Sequence, residues 1–74
     1  AGQRKVFVSC EDKTLLHWAM NALNLHGYQC VSTPDAEIPC LKVLSSKELE
    51  WTEKGITSSH TSFENLLSLI ISRD

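Results

Sequence analysis

A short apolar run, an amphipathic segment of helix length and a second short run succeed one another near the start of the chain. That succession constrains the fold more than any other feature. Lys5-Val6-Phe7-Val8-Ser9-Cys10 is β-branched and apolar, the pattern of a strand buried on both faces. Glu11 and Asp12 open the next segment, and His26-Gly27 closes it. Acidic residues at a helix start and glycine just past its end are favoured by the helix dipole and by left-handed capping. At 100° per residue, Leu15, Leu16, Ala19, Ala22 and Leu23 share one side, and Lys13, His17, Asn21 and Asn24 the other. Trp18 and Leu25 share a shoulder beside the apolar stripe. Tyr28-Gln29-Cys30-Val31-Ser32 then reads as a second strand. A strand, a crossover helix and a strand make a βαβ unit, with parallel strands and a right-handed crossover.

The remainder is more loosely specified. Thr33-Pro34-Asp35-Ala36-Glu37 reads as a turn segment, and Pro39 stands at the head of the run Cys40-Leu41-Lys42-Val43-Leu44, where a strand tolerates proline. Glu48-Leu49-Glu50-Trp51-Thr52-Glu53 alternates as a half-exposed edge strand does, with Leu49 and Trp51 inward and the glutamates toward water; a short helix is the alternative. Lys54-Gly55 reads as a turn, and residues 56–60 as irregular. Thr61 with Glu64 fits a capping box for a helix running to about Ser72, with Phe63, Leu66, Leu67 and Ile70 on its core stripe, Ile71 beside it and Leu69 off it. The expected fold is α/β: a small mixed sheet of three to four strands with two helices packed on it, in the order β-α-β-β-(β)-α. With Ile38-Pro39 before a strand, this order resembles the glutaredoxin-type fold, in which a proline precedes the third strand and a helix follows the fourth. The cysteine motif of that family is missing, and residues 33–37 are too few for the helix it inserts there. The resemblance implies topology and no activity.

Residues 1–74 suffice for one domain with one core, a size at which roughly 60% of the unfolded surface is buried. The sequence at the start, Ala1-Gly2-Gln3-Arg4-Lys5, suggests a domain cut from a larger protein. A net charge of −2 and scattered basic residues give no bulk attraction to nucleic acid or to an anionic membrane. No apolar run reaches the ~18 residues of a membrane span. Cys10, Cys30 and Cys40 are an odd set, which reads as reduced thiols in an intracellular compartment, cytoplasmic or nuclear.

Chemistry-bearing patterns are sparse. Cys10 lies between a strand end and a helix start, where backbone N–H groups favour a thiolate, but Glu11 and Asp12 oppose it. The same two acids disqualify the loop as a phosphate cradle. His17, His26, His60 and the cysteines show no close ligand spacing, so no metal and no cofactor is expected, although Cys30 and Cys40 are candidates for neighbouring strands. His17 points to the polar side of its helix, away from Ser9 and Cys10. Trp51 lies among glutamates that repel phosphate. The reading from sequence is a non-catalytic protein-interaction or regulatory domain of an intracellular protein. Its candidate contacts are Trp18, Leu25, Trp51 and Leu69, and its partner is another protein or a second copy. The alternatives are a small nucleic-acid-binding domain and a redox-like thiol domain using Cys10.

Overall fold

A computed structural model describes residues 4–72. The elements are β1 (Arg4–Ser9), α1 (Lys13–Leu25), β2 (Tyr28–Val31), β3 (Cys40–Ser45), β4 (Glu48–Glu53), β5 (Ile56–His60) and α2 (Phe63–Ser72). The strands form one five-stranded mixed sheet in the order β2-β1-β3-β4-β5, so the α/β class holds while the sheet has one strand more than the sequence suggests. β1 pairs in parallel with both β2 and β3; β3–β4 and β4–β5 are antiparallel.

The additional strand is β5. Ile56-Thr57-Ser58-Ser59-His60 holds one large apolar residue, so periodicity does not reveal it. Its cause is the turn before it. Lys54 at φ 53° and Gly55 at φ 81° both take left-handed backbone, the two-residue type I′ geometry that matches the twist of a hairpin. That turn returns the chain along β4, register Glu53↔Ile56 through Leu49↔His60. β4 is therefore an interior strand and not an edge. It is also no helix, which settles the alternative left by its sequence.

Helix α1 begins where Asp12 accepts a hydrogen bond from Leu15 N at 3.0 Å through its carboxylate. It ends with Gly27 N–H donating to Asn24 O and Gly27 at φ 89°. Helix α2 is capped one residue later than the Thr61 box suggests. Ser62 Oγ accepts from Asn65 N, and Ser62 O takes the first helical bond, from Leu66 N. Glu64 thus sits in the first turn, where its charge suits the dipole, but it does not close a box.

Both helices cover one face of the sheet. Val6, Tyr28, Leu41, Val43, Leu49 and Trp51 point from the strands into a single core, and Ala19, Leu23, Phe63, Leu66, Leu67 and Ile70 meet them from the helices. The two helices touch through Trp18 and Phe63, whose ring centroids lie 4.8 Å apart edge to face. Ile71, expected beside the α2 stripe, lies outside the described side chains. β1 is not buried on both faces as its composition suggests: Val6 is fully buried, Lys5 and Ser9 are exposed and Phe7 is half-buried. The connection from β2 to β3, residues 32–39, passes β1 in the strand order. This connection contains a turn closed by Ile38 N–H to Asp35 O and no helix. Beyond it the antiparallel half shows Glu50, Thr52, Thr57 and Ser59 to water, as such sheets can. There the Thr52 and Thr57 hydroxyls hydrogen-bond at 2.8 Å.

Candidate interaction site

The strand order places a crevice at one end of the sheet. At the carboxyl end of β1 the chain turns over one face into α1; at the carboxyl end of the adjacent β3 it turns away into β4. Open α/β sheets bind ligands at the place where neighbouring strands part in this way. Here two lobes share Asp12, Leu15 and Leu44. The inner lobe, about 380 Å³, is of mixed polarity, with Ser9, Cys10, Glu11, Asp12 and Lys42 beside Leu15, Val43 and Leu44. The outer lobe, about 640 Å³, lies between Thr14 and Trp18 of α1 and Ser45 and Ser46 of the β3–β4 turn. Both are open grooves within the size range of ligand pockets.

Local sequence explains the walls. Trp18 lies one turn beyond Leu15 on α1, against Phe63, and keeps 43% of its surface exposed. Leu44 keeps 46%. It sits where the β3–β4 register shifts, between the pairs Val43↔Leu49 and Ser45↔Glu48. Such an irregularity re-aims side chains. Sequence reasoning found Trp18 and missed Leu44, since Leu44 completes an ordinary apolar run.

The electrostatics of the inner lobe disfavour an anion. The Asp12 carboxylate already caps α1, and Glu11 is exposed beside it. Cys10 is half-buried, and its thiol donates to the Asp12 carbonyl at 3.4 Å. Lys42 stands in register with Glu50 across β3 and β4.

The other expected residues lie elsewhere. Trp51 is 3% exposed and belongs to the core, so the expectation that it offers an exposed contact is corrected. Its indole N–H donates to Glu53 at 3.1 Å, and its ring meets Tyr28 edge to face at 6.2 Å. Glu53 therefore lies on the helix side and not with the water-facing glutamates. Leu25 is exposed at the end of α1. Leu69 is half-exposed on α2 beside Ile56, away from the crevice.

Cys30 and Cys40 are not on neighbouring strands. Cys30 stands opposite Val6 and Cys40 opposite Phe7, so β1 runs between them, and their alternation sends them to opposite faces. Burial raises both thiols above their ordinary pKa, and at Cys40 the charge of Lys42 partly offsets this. Neither is poised as a thiolate at neutral pH. His17 is exposed, and His60 Nε2 lies 2.9 Å from Ser58 Oγ on β5. Among the described residues no three histidine, cysteine or carboxylate side chains gather as metal ligands. No described helix is long and apolar enough to cross a membrane.

One comparison bears on this geometry. The family model of the iron ABC transporter C-terminal domain matches residues 3–70, nearly the whole chain. The chain belongs to that family. No curated protein and no solved structure matches it.

Proposed function

We propose that this chain is a non-catalytic interaction module within a larger iron ABC transporter protein, and that it grips a transporter partner in the groove between Trp18 and Leu44. The observation that carries the reading is the pairing of two large, half-exposed apolar side chains across an open crevice at the carboxyl ends of parallel strands. Exposed tryptophan beside an aliphatic wall is the composition of an interface anchor. Glu11 and Asp12 at the head of α1 take the place that a phosphate-binding loop gives to glycines, so nucleotide chemistry falls to other parts of the transporter.

Replacing Leu44 by glutamate tests this without disturbing the core. Leu44 lies outside the buried cluster, so thermal unfolding followed by circular dichroism stays within about 0.5 kcal/mol of the parent. Affinity for the rest of the transporter, measured by interferometry on the purified components, falls by about tenfold or more. Unchanged affinity in a folded L44E domain removes the groove from the binding surface.

A further inference from the structure

We propose that β5 is a self-pairing edge, through which two copies of this chain join their sheets into one. β5 has no strand on its outer side among the described residues. The hairpin turn fixes which of its backbone groups point there. A two-residue turn makes its flanking residues, Glu53 and Ile56, exchange both hydrogen bonds, and antiparallel pairs then alternate. Ile56, Ser58 and His60 therefore direct their N–H and C=O groups to β4. Thr57 and Ser59 direct theirs outward.

Edges of natural sheets are usually blunted by lysine, proline, a bulge or brevity. β5 has five residues, no lysine, arginine, aspartate or glutamate, no proline and an unbroken register with β4. The opposite edge, β2, has four residues. An antiparallel two-fold centred on Ser58 sets Thr57 against the second copy's Ser59, and Ser59 against its Thr57. Every outward N–H and C=O of both strands is then satisfied. Hydroxyl faces hydroxyl on one side of the joined sheet, and Ile56 faces the second copy's His60 on the other. No like charges meet.

The ends are complementary as well. Lys54 precedes β5, and Glu64 follows it in the first turn of α2, both exposed. Antiparallel pairing carries each copy's Lys54 to the end at which the other holds Glu64. The contact extends onto a groove of about 480 Å³ that Ile56, 74% exposed, and Leu69 share with Trp51 and Ser58. This flank, which Glu53 and Lys54 also line, lies alongside the pairing edge and gives a second copy area beyond the backbone bonds.

Sedimentation velocity of the chain across micromolar to millimolar concentration tests the pairing. The expected result is a concentration-dependent dimer, with slowed amide exchange at Thr57 and Ser59 in the dimer. Proline is tolerated where a strand's N–H faces out, so Ser59→Pro is expected to keep the fold and to weaken dimerisation by about tenfold or more. Lys54→Glu is expected to weaken it too, and adding Glu64→Lys to restore it; this pair decides the matter should the proline variant unfold. A wild-type chain that stays monomeric at millimolar concentration overturns the proposal. So does a dimer left intact by a folded S59P chain, or by K54E without and with E64K alike.

Discussion

Replacing Trp51 by serine is expected to cost about 3–5 kcal/mol, the range for truncating a buried tryptophan. A chain of this size holds roughly 4–11 kcal/mol in total, at about 0.05–0.15 kcal/mol per residue, so the change removes a large share of the stability. The reason lies in where alternation puts the indole. Trp51 stands on β4 between β3 and β5, 3% exposed, with Leu41 and Ser58 as its cross-strand partners. Serine leaves a void under both helices, strips Tyr28 of its edge-to-face contact and frees the Glu53 carboxylate from the indole N–H. The urea midpoint is expected to fall by more than about 2 M. Leu25→Ser, at a side chain that is 85% exposed, is expected to change stability by less than about 0.5 kcal/mol. Equal effects of the two changes would contradict the orientation of β4.

Leu66→Ala carries the second large effect, about 3 kcal/mol. Leu66 is fully buried at the middle of α2, among residues that face the sheet. Losing three heavy atoms removes their transfer energy and leaves a cavity that neighbouring side chains fill only in part. For a domain of this size each kcal/mol lowers the melting temperature by about 4–8 °C, so a drop of roughly 12–24 °C is expected. Leu69→Ala, three residues along, removes the same atoms from a half-exposed position and is expected to cost about 1 kcal/mol. Calorimetry on the two variants reads the rotation of α2 directly, since a helix turned by one residue reverses their order.

The legible parts of the sequence were those where periodicity and end signals agree. Asp12 and Gly27 bracket α1, and the stripe of Ala19 and Leu23 faces the core, because helix pattern and caps point to one answer. β5 was hidden because an edge strand buries little and needs few apolar residues; its warrant is the backbone geometry of Lys54-Gly55. Without β5, β4 read as an edge, and Trp51 read as a contact although its alternation pointed inward. β1 read as buried on both faces because Phe7 and Val8 adjoin Val6. Alternation along β1 turns Phe7 to the face opposite Val6, away from the core that the helices cover. Of the site, Trp18 was legible from its place on the shoulder of α1. Leu44 was not, because its exposure comes from a register shift between β3 and β4 that only strand pairing displays.

Residue-resolved amide exchange of the domain, alone and with the proposed transporter partner added, bears most directly on the groove as the gripping surface. Slowed exchange is expected around Trp18 and along residues 42–46, where the first turns of α1 meet the end of β3. Protection confined to other parts of the sheet or helices, with these two segments exchanging as fast as in the free domain, would contradict it.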